Sequence, residues 1–77
     1  MKYKTLDTVV LEKNLPNYGL CKGDLGAVVE VYGPGGVEVE FVTASGKPQA
    51  LVTLNVRDVR SVQDSDLVAV RSVKTVA

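Results

Sequence analysis

The chain has very little of the chemistry on which most enzyme sites depend. It contains one cysteine, no histidine and no tryptophan among its 77 residues. A lone thiol cannot form an internal disulfide, and the usual zinc ligand sets need histidines or further cysteines. A nucleophilic Cys21 would need a neighbouring base, so we interpret it as a small, partly buried apolar residue. We therefore expect no metal, no cofactor and no catalytic activity.

Net charge and long apolar runs are also lacking. Nine basic residues balance nine acidic ones, whereas nucleic-acid binders usually carry an excess of Lys and Arg that neutralises phosphates. The sequence has no apolar run of about 18 residues, the length that crosses a membrane, and no signal-peptide-like run near residue 1. Together with a single free thiol, these absences predict a cytoplasmic protein that binds neither membranes nor nucleic acid.

The length permits one small domain. A chain of 77 residues buries only about 60% of the surface that its unfolded form exposes. Natural domains below about 80 residues often rely on a disulfide, a metal or a partner subunit. Because the first two are not expected here, self-association is the remaining way to stabilise the fold.

What the sequence does contain is valine in short alternating runs, separated by glycine, proline and asparagine. This pattern is typical of an all-β fold, and the layout indicates a small SH3-like barrel of about five strands. Asn55 is expected to cap a single 3₁₀ turn over residues 55–58. The predicted strands are 8–12, 27–32, 37–42, 49–54 and 59–62.

The second and third strands form a predicted hairpin. Apolar residues at 37, 39 and 41 alternate with glutamates, and an alternating series at 27, 29 and 31 precedes them. Residues that pair across a sheet share a face. Placing Val31 opposite Val39, and Val29 opposite Phe41, therefore satisfies both series.

This register defines the hairpin loop. Residues 34–36 become a three-residue connection, in which Pro34 takes the first turn position and Gly36 supplies the positive φ. The same register places Glu30 opposite Glu40, which is a mild electrostatic cost on a solvent-exposed face.

A Gly-Asp-x-Gly element precedes the hairpin. Gly23 and Gly26 are predicted to permit a tight turn, and Asp24 to bond local backbone amides. Contact with RNA is the alternative interpretation, but Lys22 is almost the only cation beside the element. Asp24 as a catalytic acid would lack a second carboxylate at a recognisable spacing.

The C-terminal residues extend beyond a five-stranded barrel. We divide the chain into a barrel at 1–62 and an extension at 63–77, where 63–66 is a polar spacer and the β-branched run 67–76 predicts an extra strand. That strand must pair with an edge of its own barrel or with a neighbouring chain. Arg60, at the end of the barrel, and Arg71, in the extension, are predicted to meet acidic groups of a partner. The candidate interface residues are Arg60, Leu67, Val68, Val70, Arg71 and Val73.

The order of these motifs resembles a bacterial family of small proteins catalogued as domain of unknown function 4926. The resemblance covers about residues 5–62, and residues 7–11, 15–16, 19–20, 22–32, 37–42 and 51–54 carry it. It implies an SH3-like barrel, and it brings no activity, cofactor or catalytic residue.

Three functions follow from the sequence as hypotheses. The first is a non-enzymatic binding or assembly module that forms a homo-oligomer through its edge strands. The second is a nucleic-acid-associated module of the KOW kind, which the zero net charge disfavours. The third is an accessory or regulatory subunit, similar to an immunity protein or antitoxin, that acts on a separately encoded protein.

Overall fold

The computed structural model describes residues 3–73, which contain five strands and two single turns of 3₁₀ helix. The predicted cap is confirmed, because Asn55 Oδ1 accepts a hydrogen bond from the Arg57 backbone N–H at 2.9 Å. Neither these turns nor any other helix in residues 3–73 is long and apolar enough to span a bilayer. The elements are β1 (Thr8–Leu11), η1 (Pro16–Tyr18), β2 (Leu25–Tyr32), β3 (Gly36–Val42), β4 (Pro48–Asn55), η2 (Val56–Asp58) and β5 (Val59–Ser61).

The strands form one antiparallel sheet in the order β4-β3-β2-β1-β5. Strands β4 and β5 lie at its two edges, and within residues 3–73 no strand pairing joins them. The chain passes between these edges through η2, where the Val56 N–H donates to the Gly35 carbonyl at 3.0 Å. The predicted all-β fold with five strands is confirmed, and its sheet is open where a complete barrel would be closed.

The predicted hairpin register is wrong. Val31 pairs with Val37, where Val39 was expected, and Tyr32 pairs with Gly36. The loop therefore comprises residues 33–35, with Pro34 still inside it. Its positive φ belongs to Gly33, at 56°, while Gly36 begins β3.

A β-bulge explains the error. Val28 pairs with Val39, but Glu30 pairs with the adjacent Glu38, so β2 carries one extra residue at Val29. A bulge of this kind reverses which alternate residues face the core. Val28 is fully buried on one side of the bulge, and Val31 packs against the core on the other side. An unbroken alternation through β2, on which the predicted register depended, does not exist.

Gly26 is required for close packing. It lies within β2 opposite Val9, and its φ is not in the left-handed region. A Cβ at this position would stand 2.5 Å from Val39 Cγ1 and 2.9 Å from Phe41 Cε1. The expected tight turn at Gly26 is therefore wrong, whereas Gly23, with a φ of 98°, does occupy the turn predicted for it.

The core lies on one face of the sheet and contains no buried polar or charged residue among residues 3–73. The long β1–β2 connection packs onto it through buried Leu20 and half-buried Leu15, while Tyr18 is exposed. Tyr3, near the N-terminus, also lies in the core, and the sequence pattern did not predict this. The buried apolar residues are Tyr3, Val9, Val10, Leu11, Leu20, Val28, Val37, Val39, Phe41, Val52, Leu54 and Val59.

The extra C-terminal strand is not formed. Residues 67–73 have no strand assignment, and no backbone–backbone hydrogen bond links them to another residue of 3–73. The rest of the predicted strand, residues 74–76, lies outside the described residues. We call residues 62–73 the strap, because side-chain hydrogen bonds of Asp66 and Arg71 hold them to the rest of the chain.

Replacing Gly26 with alanine tests the close approach of β2 and β3. We expect Gly26→Ala to lower the free energy of unfolding by about 1–3 kcal/mol, because Val39 and Phe41 must move aside for the methyl group. Urea unfolding gives the measurement. Gly35→Ala is the matched control: nothing lies within 4 Å of its Cβ position, its φ is not left-handed, and we expect a change within about 0.5 kcal/mol. Equal stability of the two variants would contradict the packing argument.

Candidate functional site

The candidate site begins at the turn that carries Asp24. One Asp24 carboxylate oxygen, Oδ2, accepts a hydrogen bond from the Cys21 backbone N–H at 2.8 Å, and the Asp24 N–H donates to the Cys21 carbonyl at 3.0 Å. The predicted local role of Asp24 is therefore confirmed. Two further backbone hydrogen bonds fix the turn to β1: Gly23 N–H to Leu11 carbonyl at 2.7 Å, and Leu11 N–H to Asp24 carbonyl at 2.8 Å. The turn thereby presents a carboxylate at a fixed position beside the sheet.

Arg71 of the strap binds this carboxylate. Its Nε donates to Asp24 Oδ1 at 2.8 Å, and its Nη2 donates to Asp24 Oδ2. The same Nη2 also donates to the Gly19 carbonyl at 2.9 Å. Gly19 follows η1 in the left-handed conformation, with a φ of 69°. Arg71 therefore joins three separate parts of the molecule: the Asp24 turn, the end of η1 and the strap.

A second arginine holds the beginning of the strap. Arg60 of β5 donates from Nη1 and Nη2 to the two carboxylate oxygens of Asp66, at 2.8 and 3.0 Å. Asp66 also accepts the Gln63 N–H at 2.7 Å, and Arg60 Nε lies 3.5 Å from Glu12 Oε1. Both arginines that we expected to meet a partner thus meet carboxylates of their own chain.

Between these two ion pairs the strap exposes its apolar side chains. Leu67 is 95% exposed, Val68 72% and Val70 98%. A groove of about 800 Å³ separates the strap from the sheet, and buried Phe41 and Leu20 line part of it. All three belong to the predicted interface, which stays a prediction. Val73 differs from them: it is half-buried, and its Cγ1 lies 3.7 Å from the position of a Cβ on Gly19.

Ion pairing with arginine lowers the pKa values of Asp24 and Asp66. The hydrogen bond from Arg71 lowers the pKa of Asp24 below its ordinary value of 3.8; partial burial opposes this shift, and the Cys21 N–H and the Arg71 charge add to it. The hydrogen bond from Arg60 likewise lowers the pKa of Asp66. A lowered pKa in the folded state means that the ionised carboxylate stabilises the fold above the unfolded pKa. This contribution is lost as the pH falls through the folded pKa, so the strap is held at neutral pH.

Outside the strap, Cys21 and Tyr32 lie on the surface. Cys21 is exposed, so its interpretation as a partly buried apolar residue is wrong. Tyr32 is also exposed, and its hydroxyl donates to Glu38 Oε1 at 2.7 Å, which raises the pKa of the phenol. Within residues 3–73, no group of three or more His, Cys, Asp or Glu side chains is placed to hold a metal ion.

Sequence reasoning missed the pairing of Asp24 with Arg71. Both residues had been singled out, Asp24 as a turn residue and Arg71 as an interface residue, but they are 47 positions apart. The pairing of Arg60 with Asp66 had a local signal, because the two residues lie six positions apart on either side of a polar turn. Lys74, the next basic residue after Arg71 in the sequence, lies outside the described residues.

Comparison with known proteins gives one match. A family model described as a domain of unknown function, DUF4926, matches residues 5–61. No curated protein and no solved structure matches the chain. The matched range contains all five strands and Asp24, and it ends before the strap begins.

The shared hydrogen bonds of Asp24 and Arg71 can be tested by titration. We expect the Asp24 carboxyl, followed by carbon-detected NMR, to titrate below 3.8 in the unmodified chain and to move upward in Arg71→Gln. Arg57→Gln is the control, because this substitution also removes one positive charge, but Arg57 hydrogen bonds to Asn55. An Asp24 titration that is identical in all three proteins would show that Arg71 does not hold this carboxylate.

Proposed function

Because the chain belongs to the DUF4926 family, whose description assigns no activity, we propose that it is a non-enzymatic binding module that associates with a second copy of itself through the strap. The observation that carries this proposal is the exposure of Leu67, Val68 and Val70 on a segment that has no strand partner within residues 3–73. Contiguous apolar side chains on a small soluble protein mark an interaction surface. An extended segment with free backbone groups is also suited to pairing with another strand.

The charged groups near the strap support a binding role over a catalytic one. The two carboxylates with lowered pKa values, Asp24 and Asp66, each accept hydrogen bonds from an arginine and from the backbone. A general acid or base needs a pKa near the working pH, and these interactions move both groups in the opposite direction. We propose that these ion pairs position the strap, and that the protein acts in the cytoplasm.

The nucleic-acid alternative gains no support from the charges around the Gly-Asp-x-Gly element. Arg71, the cation that reaches this element, is neutralised by Asp24. On the outer face of the hairpin, Glu30 lies directly opposite Glu38 and would repel phosphate. A separately encoded protein partner would use the same apolar strap residues, and the experiment below distinguishes it from a second copy.

The association state of the purified chain tests this function. We expect light scattering after size exclusion to show a dimer whose fraction rises with concentration. Val70→Asp should shift the protein to monomer, because the new carboxylate would be buried between the copies. The fold should survive, since Val70 is 98% exposed.

Leu6→Asp is the matched control for this variant. Leu6 is 79% exposed, lies outside the strap and has a φ of 78°, which aspartate tolerates. It makes the same apolar-to-acid change and should leave the dimer intact. A native chain that stays monomeric at every concentration would exclude self-association and leave the separately encoded partner as the remaining binding hypothesis.

A further inference from the structure

We propose that the two copies exchange their straps. This inference rests on the self-association proposed above and specifies its geometry. In the exchanged dimer, Arg71 of each copy binds the partner's Asp24, and the same Arg71 donates to the partner's Gly19 carbonyl. Each groove is then completed by a residue of the other copy, so that the site is shared between the chains.

The first argument is the way in which the strap is attached. Residues 67–73 make no backbone–backbone hydrogen bond to another residue of 3–73, and within these residues it is the Arg71 side chain that hydrogen bonds them to the sheet domain. These contacts can be transferred to an identical groove without loss, because the acceptors in the second copy are the same. Exchange of an identical element between protomers is a low-cost route to a dimer.

The second argument is the connection between the two arginine sites. Arg60 holds Asp66 at the start of the strap, and Arg71 lies only five positions later. The intervening segment, Leu67–Val70, is exposed throughout and can span no more than about 14 Å when fully extended. A connection this short can reach a second groove only if the two copies lie close together, so exchange predicts a compact dimer.

The third argument is the apolar surface. The strap spans a groove of about 800 Å³ without filling it, and Leu67, Val68 and Val70 remain exposed in the single chain. Two exchanged straps must cross near the two-fold axis, which brings these side chains of both copies together. The free backbone groups of residues 67–70 would then face each other in antiparallel orientation, where they can pair.

Complementary charge variants distinguish exchange from simple contact between straps. Asp24→Arg and Arg71→Asp each place like charges together, both within one chain and in an exchanged homodimer. In a mixture of the two variants, only the exchanged heterodimer restores both ion pairs. We expect each variant alone to be mainly monomeric, and the equimolar mixture to form heterodimers at the level of the unmodified dimer, detected by native mass spectrometry.

Two controls accompany the mixture. The double variant carrying both substitutions restores the ion pair in either arrangement and should dimerise without a mixing partner. Asp24→Arg mixed with Arg57→Asp has the same overall charge, but Arg57 lies beside Asn55 and makes no contact with Asp24. This second mixture should give no preference for heterodimers.

The outcomes separate this inference from the proposed function. If the unmodified chain dimerises but the complementary mixture shows no heterodimer preference, self-association stands and strap exchange is wrong. If the unmodified chain is monomeric, the proposed function itself fails.

A measurement on the native ion pair covers the case in which a charge variant does not fold. A nitroxide is attached at Ser72→Cys in a Cys21→Ser background, and this chain is mixed with an unlabelled ¹⁵N chain. Exchange predicts that broadening in the ¹⁵N chain is centred on residues 19–24. Broadening centred on the strap alone would overturn it.

Discussion

The anchoring of the Asp24 turn to β1 determines where the strap can lie. Leu11 exchanges two backbone hydrogen bonds with Gly23 and Asp24, and its own side chain is fully buried. The turn is therefore as rigid as the core strand that holds it. Because the turn is rigid, the Asp24 carboxylate offers both of its oxygens to the planar guanidinium of Arg71, an arrangement that requires fixed geometry on both sides. Without this anchor the strap would have no defined place on the molecule.

Positioning and stabilisation are separate contributions here. The ion pair between Arg71 and Asp24 is partly exposed, and pairs of this kind contribute about 1 kcal/mol or less to stability. Burying one leucine or valine side chain contributes about 1.5–3 kcal/mol. Burial of Leu67, Val68 and Val70 of each strap would therefore supply on the order of 10 kcal/mol in a dimer, against an association cost of about 4–15 kcal/mol. These opposing terms are similar in size, so we expect the proposed dimer to depend on concentration, with the ion pair setting its geometry.

The sequence predicted local features well and failed where a feature depended on distant partners. Alternation located the five strands, and Asn55 located the 3₁₀ turn, because these signals lie within a few residues. The bulge at Val29 has no such signal, since it is set by how β2 fits against β3. The β-branched residues after 66 predicted a strand, but high β-propensity describes a fit to a pleated, half-buried surface, and residues 67–73 pair with no strand among the described residues. Arg71 was identified as an interface residue without its partner Asp24, because the two residues lie 47 positions apart in the sequence.

The strap contributes no residue to the buried core, so the folded sheet and the proposed association site are separable parts of the chain. The family match ends at residue 61, with the last residue of β5, and therefore contains Asp24 but not Arg71. Within the matched range Asp24 already has a structural role, because its carboxylate closes the turn at Cys21 without any help from the strap. Arg71 uses the remaining hydrogen-bonding capacity of that carboxylate. A turn residue thus also serves as the attachment point of the strap, and the association that we propose through the strap is not implied by family membership.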